Sequence, residues 1–362
     1  MEMAQQIGIP RAMSYYNFYP FWYGFFDFLG IKVVLSDVTT KQTMSRGASF
    51  VVSETCLPIK IYVGHVLNLL DKGIDKIFVP SIQSVAHKIY NCSKIRGLPD
   101  LIRNVLKKDF TMIEPTLDKS EKNQGLYSFL SEAVAPFGIT DMELIKKASK
   151  MGWKVFNNFQ VMTRSGISHK EALKNALADK MIIAKNPKTY PIKIAVVGHA
   201  YNLFDDRVSM KIFDKLDALK VQSVTAENLT IEQTTEGIMA LGSNIYWANE
   251  HEMTGAAGHF IQDNSIDGVI TITAFGCGPD SLMIEKIARF AKQYSMPHLN
   301  LTVDEQTGEA GFVTRIEAFV DMLYRKKCVN IMKNADINEE ESFKPNCDYI
   351  ETRSESEVFK GV

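Results

Sequence analysis

The chain has 362 residues, which is enough for about two domains of ordinary size or one large α/β unit. Apolar residues make up 46% of it and charged residues 23%, so a globular core of normal size can be buried. The 41 basic side chains are balanced by 42 acidic ones, and the net charge of -1 lacks the basic excess that neutralises a phosphate backbone. This composition excludes nucleic acid as the main partner.

An aromatic segment at 15–28 is the stretch that most resembles a membrane span. Ten of its fourteen residues are aromatic, but it is too short to cross a bilayer and contains Asn17, Pro20 and Asp27. We predict that it is a loop leading into a buried amphipathic helix. Residues 1–8 carry no basic stretch followed by an apolar one, so we expect a cytoplasmic protein with no membrane partner.

Both halves of the chain alternate apolar, β-branched runs with amphipathic helical segments. The strand-like runs are 31–36, 74–80, 110–114, 192–197, 221–224, 266–273 and 298–303. The helical segments between them are 58–71, 99–107, 208–219 and 279–293. Continuous apolar runs suit parallel strands covered on both faces, and strand–helix–strand units favour right-handed crossovers. The predicted fold class is therefore α/β, with two Rossmann- or flavodoxin-like lobes that contain parallel sheets and are joined by a helical connection.

The domain boundaries follow from breaks in this pattern. Residues 140–180 are predicted to be mostly helical, and 184–191 contains two prolines that mark a linker. We expect an N-terminal lobe at 1–183 and a C-terminal lobe at 184–327. Residues 328–362 are predicted to form a weakly structured acidic tail, with one short strand around Tyr349.

Three of the five cysteines share a local context. Cys56 and Cys277 each precede a proline by two positions, and Cys92 lies a few residues before Pro99. Proline is favoured in the first turn of a helix, so two of these thiols are predicted to lie at helix N-termini and the third one loop before another. Cys277 also follows the run 266–273, which places it at the carboxyl edge of a sheet, where open α/β folds bind ligands.

This context favours the thiolate, the form that binds soft metals and iron–sulfur clusters. The three positions are too far apart in sequence for a zinc ribbon or a ferredoxin-type run, so they can meet only through the fold, across the cleft between the lobes. The alternative is that they are small buried core residues. Cys328 and Cys347 lack the shared context and are predicted to be bystanders. The odd number of cysteines and the absence of close pairs predict reduced thiols rather than disulfides.

Several ordered motifs between Ile7 and Tyr324 resemble the activase-related family allied to 2-hydroxyacyl-CoA dehydratases. The motifs are Gly8-Ile9-Pro10-Arg11-Ala12, Glu54-Thr55-Cys56-Leu57-Pro58-Ile59-Lys60, Gly97-Leu98-Pro99-Asp100, Val197-Gly198-His199-Ala200-Tyr201-Asn202-Leu203, Gly276-Cys277-Gly278-Pro279-Asp280-Ser281 and Asp304-Glu305-Gln306-Thr307-Gly308-Glu309-Ala310-Gly311. The resemblance implies an iron–sulfur protein of anaerobic metabolism. It implies that Cys56, Cys92 and Cys277 bind either a [4Fe–4S] cluster or a double-cubane-type cluster between the lobes. It also implies a separate ATP-dependent activase as electron donor, with a dehydratase-like subunit or a second copy of the chain as a further partner.

The chain departs from a self-sufficient system because it has neither a Walker-type phosphate loop nor an actin-like ATPase element. ATP hydrolysis is therefore expected to come from another chain. The residues expected to lie around the cluster or line the cleft are Glu54, Lys60, His65, Arg96, His199 and Asp280. His251 and His259 are too far apart for a zincin motif, and we expect a helix surface facing the cleft there.

Three functions remain open from the sequence, and no catalytic residue is assigned. The first is a dehydratase- or reductase-like iron–sulfur protein that takes part in ATP-driven low-potential electron transfer or reduction. The second is a non-catalytic cluster carrier or scaffold that docks to an activase. The third is a metal-free bilobal protein that closes around a small molecule.

Overall fold

The structure is a computed structural model. It describes residues 5–120, 125–184, 189–242 and 247–335, with side chains up to 329. The strands in chain order are β1 (Gln6–Ile9), β2 (Lys32–Leu35), β3 (Lys76–Phe78), β4 (Ser81–Ala86), β5 (Ile89–Tyr90), β6 (Thr111–Ile113), β7 (Thr116–Asp118), β8 (Ile192–Gly198), β9 (Val221–Val224), β10 (Gly268–Ala274) and β11 (His298–Val303).

The helices complete the strand–helix–strand units. In chain order they are α1 (Ser14–Phe28), α2 (Lys41–Ala48), α3 (Leu57–Asp71), α4 (Ser93–Arg96), α5 (Leu98–Leu106), α6 (Leu126–Val134), α7 (Met142–Arg164), α8 (His169–Leu177), α9 (Ala200–Leu203), α10 (Ile212–Ala218), α11 (Ile231–Ala240), α12 (Ala248–Gln262), α13 (Gly278–Gln293) and α14 (Glu309–Ala335). Two short 3-10 turns lie at Ala135–Phe137 and Ala226–Asn228.

Each lobe is built on a four-stranded parallel sheet in the described part of the chain. The N-terminal sheet has the order β2-β1-β3-β6 and the C-terminal sheet the order β11-β10-β8-β9. Every residue of β10 is buried, as expected for a central parallel strand covered by helices on both faces. The predicted α/β class with parallel sheets is confirmed.

A third, smaller sheet was not predicted from the sequence. It has the order β5-β4-β7, with β4 parallel to β7 and antiparallel to β5. Its strands are short and partly buried, and two of them continue directly from strands of the N-terminal sheet after Pro80 and Pro115. Cys92 lies two residues after β5, the last strand of this sheet before α4.

The aromatic segment is helical from Ser14 to Phe28, so the loop predicted at its start is wrong. Pro20 lies inside this helix and is buried. The helix packs tightly against α7, because a Cβ on Gly152 would lie 2.8 Å from the carbonyl oxygen of Phe21. Burial of most aromatic rings in this contact outweighs the local cost of an internal proline.

The helical connection between the lobes consists of α7 and α8, as the pattern at 140–180 predicts. The last helix, α14, continues to Ala335, so the predicted boundary at 327 falls inside a helix. The strand expected around Tyr349 and part of the linker at 184–191 lie outside the described residues. Among the described helices, none has the length and apolar character needed to span a membrane.

One apolar core cluster contains residues of both lobes. It includes Cys56 and Val63 from the first half of the chain, and Val196, Ile272 and Val303 from the second. The two sheets therefore share packed side chains rather than meeting only through the connecting helices. A site at this junction is supported by elements of both lobes.

Candidate functional site at the lobe junction

The three predicted cysteines each precede the first residue of a helix. Cys56 is the N-cap of α3, Cys92 the N-cap of α4 and Cys277 the N-cap of α13, and all three have an extended backbone. Pro58 and Pro279 lie in the first turns of their helices, as the sequence predicts. The prediction for Cys92 differs in one respect, because a single-turn helix starts immediately after it and precedes the proline-led α5.

The segments that carry the cysteines lie close together. Gly276 packs on the start of α3: a Cβ there would lie 3.7 Å from the Cα of Cys56 and 3.3 Å from the carbonyl oxygen of Glu54. Cys92 lies within electrostatic range of Cys56. Tyr201 is within electrostatic range of both Cys92 and Cys277.

The thiols of Cys92 and Cys277 are not poised as thiolates in the metal-free protein. Burial raises the pKa of Cys92, although the backbone N–H groups of Ile95 and Lys94 act in the opposite direction. Burial also raises the pKa of Cys277, against the opposing effect of its hydrogen bond with His199. Desolvation therefore outweighs the helix-terminus effect on which the sequence argument relied. A metal that binds these thiols must displace their protons.

A buried group of metal-ligating side chains surrounds Cys277. It contains His199, Glu250, Cys277 and Asp280, and one ligand atom from each lies within 4.8 Å of the others. His199 is the N-cap of α9 and follows β8, whereas Glu250 and Asp280 lie in the first turns of α12 and α13. Three segments of the C-terminal half of the chain thus direct four donor atoms to one place, and this group can hold a metal ion.

Several polar atoms of this group are buried without a hydrogen-bond partner. Nε2 of His199 lies 2.6 Å from Oδ1 of Asp280, but the contact lacks hydrogen-bond geometry. Both carboxyl oxygens of Asp280 consequently remain without such a partner among the described residues, as do both side-chain polar atoms of nearby Asn202. Buried polar groups are usually satisfied, so a bound water molecule, ion or cofactor would complete the hydrogen bonding of these atoms.

The pKa values of His199 and Glu250 are shifted by burial and by the charges of their neighbours. Burial alone would lower the pKa of His199, but the charges of Asp280, Cys277 and Glu250 raise it well above its usual range. Burial raises the pKa of Glu250, and the nearby positive charge of His199 only partly opposes this effect. Two buried carboxyl groups beside the thiol of Cys277 would be unfavourable as anions without a positive charge nearby, and the imidazolium of His199 supplies one.

These residues fit an iron–sulfur group. Thiols are the protein ligands that such clusters take, and Cys56, Cys92 and Cys277 supply three of them. Backbone N–H groups in the first turns of α4 and α13 donate to the sulfurs of Cys92 and Cys277, which would stabilise an anionic cluster.

Tight helix pairs fix the elements that carry the donors. A Cβ on Gly47 of α2 would overlap the carbonyl oxygen of Lys60 in α3, the helix that follows Cys56. A Cβ on Gly237 of α11 would overlap the carbonyl oxygen of Gly255 in α12, the helix that carries Glu250. Backbone-to-backbone contact of this kind leaves little freedom for either helix to shift.

Lys60 and Arg96 lie apart from the donor group. The buried ammonium of Lys60 donates to Glu305 in the opposite lobe and to the carbonyl oxygen of Ser53. The guanidinium of Arg96 is exposed, with its Nε donating to Gln83.

Glu54 and His65 also lie outside the donor group. The Glu54 side chain is exposed, although its carbonyl oxygen lies against Gly276. His65 is buried beside Thr39, and burial lowers its pKa to about 3. Of the residues expected around the cysteines, the structure brings His199 and Asp280 to Cys277.

Glu250 was missed by the sequence analysis. The sequence drew out His251 and His259 of the same helix instead, and neither of them belongs to the donor group. A usable signal was present: Thr254 to Gly258 are all small residues, which is typical of a helix packed closely on both sides. An acidic residue in the first turn of such a helix is a candidate for a buried role.

A large cavity in the described part of the protein lies apart from the donor group. It has a volume of about 1190 Å³, and its lining includes Tyr16, Thr39, His169, Phe204 and Asp205 but no cysteine. Asp205 accepts hydrogen bonds from the hydroxyl groups of Tyr16 and Thr39 and so joins the two lobes. The cavity is a separate feature from the donor group.

The fold and site define a class of protein: a two-lobed α/β chain with three cysteines at helix N-termini, one of which, Cys277, joins a buried group of imidazole and carboxyl side chains. The chain belongs to the CoA enzyme activase uncharacterised domain family, whose profile matches residues 6–229. The profile of the 2-hydroxyglutaryl-CoA dehydratase D-component family matches residues 144–323. A comparison with curated proteins finds no match. The resemblance inferred from the motifs is confirmed, and the chain is related to 2-hydroxyacyl-CoA dehydratase systems.

Proposed function

We propose that this protein binds an iron–sulfur cluster through Cys56, Cys92 and Cys277 and takes part in ATP-driven low-potential electron transfer or reduction. The observation that carries the proposal is the proximity of three cysteine-bearing helix starts from two lobes. The unpaired polar atoms beside Cys277 support it. So does the dehydratase-component family, which generally binds clusters.

Three cysteines on a cubane leave one iron without a thiolate ligand. This is compatible with a [4Fe–4S] cluster and with a double-cubane-type cluster, in which a bridging sulfide takes the remaining position. When bound, the cluster supplies one-electron chemistry, and the protein sets its potential through burial, hydrogen bonds to sulfur and nearby charge. In this proposal, the lobe junction excludes water from the cluster.

The proposed electron donor is a separate ATP-dependent activase. Both matching families belong to activase and dehydratase systems, which implies partners within such a system. The chain itself lacks a Walker-type phosphate loop. We further propose a cytoplasmic location and a second interaction with a dehydratase-like subunit or another copy of this chain.

The two proposed lobes, 1–183 and 184–327, would each contribute ligands. Cys56 and Cys92 come from the first lobe and Cys277 from the second. A cluster bridging them would therefore stabilise the closed arrangement, because it binds the folded state and not the unfolded chain.

The ligand assignment is tested by anaerobic purification followed by iron and acid-labile sulfide counts. Wild type is expected to contain both, and Cys56→Ser, Cys92→Ser and Cys277→Ser are each expected to lose most of them. Cys328→Ser is the matched control and should retain the wild-type content. Colourless wild type without iron or sulfide would overturn the proposal, as would full retention in any of the three variants.

The electron-transfer role is tested by electron paramagnetic resonance of the loaded protein. With an activase, ATP and a reductant, the cluster signal should change to that of the reduced form. Omitting ATP should prevent the change. Reduction that is independent of the activase and ATP would contradict an ATP-driven role.

A second candidate function is a single-metal site formed by His199, Glu250, Cys277 and Asp280. The specific observation in its favour is the 4.8 Å grouping of their donor atoms, which does not require Cys56 or Cys92. Mixed nitrogen, sulfur and oxygen ligands suit zinc or iron(II). One bound metal per chain without acid-labile sulfide, lost in Asp280→Asn but retained in Cys56→Ser, would favour this candidate over the cluster.

A further inference from the structure

We propose that Lys60 and Glu305 are positioning residues for two of the proposed cluster ligands. Their ion pair sets the position of Cys56 in one lobe relative to Cys277 in the other. Glu305 belongs to the motif at 304–311, to which the proposed function assigns no role. The inference rests on the proposed function, because it concerns how ligands from two lobes reach one site.

The Lys60 ammonium is held against the loop that precedes Cys56. Its Nζ donates a hydrogen bond to the carbonyl oxygen of Ser53, at 2.9 Å. The backbone N–H of Lys60 donates to the carbonyl oxygen of Cys56 in the first turn of α3. The Lys60 side chain is only 4% exposed, so water has little access to replace these partners. The position of the ammonium is therefore coupled to that of the Cys56 loop.

Glu305 is coupled in a similar way to the loop that carries Cys277. It lies two residues after Val303, the last residue of β11. The carbonyl oxygen of Val303 accepts a hydrogen bond from the backbone N–H of Phe275, at 2.8 Å, and Phe275 lies two residues before Cys277. Because β10 and β11 are paired along their whole length, the loops that follow them are held side by side.

Hydrogen bonds within its own turn fix the backbone of Glu305. The carboxylate of Asp304 accepts from the backbone N–H of Gln306 at 2.9 Å and from the hydroxyl of Thr307 at 2.7 Å. The Thr307 hydroxyl in turn accepts from the backbone N–H of Asp304, at 2.8 Å. Local side-chain bonds of this kind restrict a turn to one conformation. The carboxylate of Glu305 is thus presented to Lys60 from a defined position.

The ion pair closes a chain of hydrogen bonds between the two cysteine loops. Nζ of Lys60 lies 2.6 Å from Oε1 of Glu305, and a charge-assisted bond of this length is strong. The packing of Gly276 on Cys56 limits how closely the loops can approach each other. The ion pair limits how far they can separate, since a buried ammonium that loses its acceptor must move toward another acceptor or toward water. Together the two contacts define the distance between the loops.

The test is cross-linking of the metal-free protein with dibromobimane, which joins two nearby thiols, followed by mass spectrometry of the linked peptides. The measured ratio is the yield of the Cys56–Cys277 link, which joins the two halves of the chain, divided by that of the Cys56–Cys92 link, which lies within the first half. In Glu305→Leu this ratio should fall several-fold. In Glu305→Gln it should stay close to that of wild type, because the amide oxygen still accepts from the ammonium.

The double variant Lys60→Met/Glu305→Leu separates positioning from stability. No buried charge remains in it, so its stability should be close to that of wild type, but its ratio should stay low because the hydrogen bonds are absent. It also keeps the test available if Glu305→Leu does not fold. Tyr16→Phe is the matched control, because it removes a buried hydrogen bond to Asp205 between the lobes, beside the cavity that no cysteine lines. Its ratio should equal that of wild type.

Equal ratios in Glu305→Leu and Glu305→Gln would overturn the proposal. A wild-type ratio in the double variant would also do so, as would a fall in Tyr16→Phe as large as that in Glu305→Leu. A wild type that forms no Cys56–Cys277 link would overturn it as well. The proposed function is judged separately by the iron and sulfide content of wild type, whereas the ratio is measured without metal, so the two failures are distinguishable.

Discussion

The ammonium of Lys60 donates a hydrogen bond to the carboxylate of Glu305, with 2.6 Å between Nζ and Oε1. Lys60 lies one turn after Cys56 in α3, and Glu305 follows β11 in the other half of the chain. The Lys60 side chain is only 4% exposed, whereas that of Glu305 is 30% exposed. This pair therefore ties the start of a cysteine-bearing helix to the opposite sheet.

Removing one member of this pair should destabilise the protein. Glu305→Leu leaves the buried ammonium of Lys60 with only the carbonyl oxygen of Ser53, and we expect a loss of about 1–3 kcal/mol in the free energy of unfolding. The double variant Lys60→Met/Glu305→Leu should recover most of this loss, because no buried charge remains. Urea unfolding of the metal-free protein measures both. A single variant as stable as wild type would show that the pair contributes nothing.

Gly276→Ala should disturb the junction more than the same change at an open glycine. Gly276 has φ of 78° and an added Cβ would lie 3.3 Å from the carbonyl oxygen of Glu54. Gly30 has φ of 69° but nothing within 4 Å of its added Cβ, so Gly30→Ala is the matched control. We expect both to lose about 1–2 kcal/mol from backbone strain. Only Gly276→Ala should also reduce iron incorporation. Equal iron content in the two variants would contradict the close packing of Gly276 on the start of α3.

His65 should make the stability depend on pH below neutrality. Burial lowers its pKa to about 3, so the folded protein holds it neutral while the unfolded chain takes up a proton near its ordinary pKa of about 6.5. Its contribution is therefore complete above the unfolded pKa and is lost as the pH falls from about 6.5 toward 3. Relative to His65→Gln, the free energy of unfolding should fall by at most about 1.4 kcal/mol per pH unit in this window.

The measurement for His65 is a series of urea unfolding curves of wild type and His65→Gln between neutral and acidic pH. The difference between the two proteins should be constant above neutrality and should shrink in acid. A difference that grows in acid, or that does not change with pH, would contradict a buried neutral imidazole.

Gly237→Ala should destabilise the helix pair that positions Glu250. The added methyl group would overlap the carbonyl oxygen of Gly255, and overpacking of this kind costs about 1–3 kcal/mol. Gly311→Ala is the matched control in α14, because nothing lies within 4 Å of its added Cβ. It should instead stabilise the helix by about 0.5–1 kcal/mol. Thermal unfolding of both variants should show opposite signs, and a neutral Gly237→Ala would argue against the tight α11–α12 contact.

Local sequence signals predicted much of what positions the site. The apolar run before Cys277 and the proline after it were sufficient to place that cysteine between β10 and α13. The same reasoning placed Cys56 before α3. These predictions succeeded because buried parallel strands and helix starts have strong local patterns.

Other features depend on contacts between distant parts of the chain. Glu250 is buried in a helix against which α11 and the segment at Tyr90 pack, and local sequence periodicity does not indicate contacts of this kind. The strands of the third sheet are too short to have a clear alternation. The thiol pKa values also escaped prediction, because the extent of burial decides their direction and is a tertiary property.

The central claim is that folding brings the thiols of Cys56, Cys92 and Cys277 to one place. The most direct measurement is cross-linking of the metal-free protein with a short reagent that joins two thiols, followed by mass spectrometry of the linked peptides. We predict links among these three cysteines and none to Cys328, with the selectivity lost in urea. If any one of the three failed to link to the other two in the folded protein, the shared site would be contradicted.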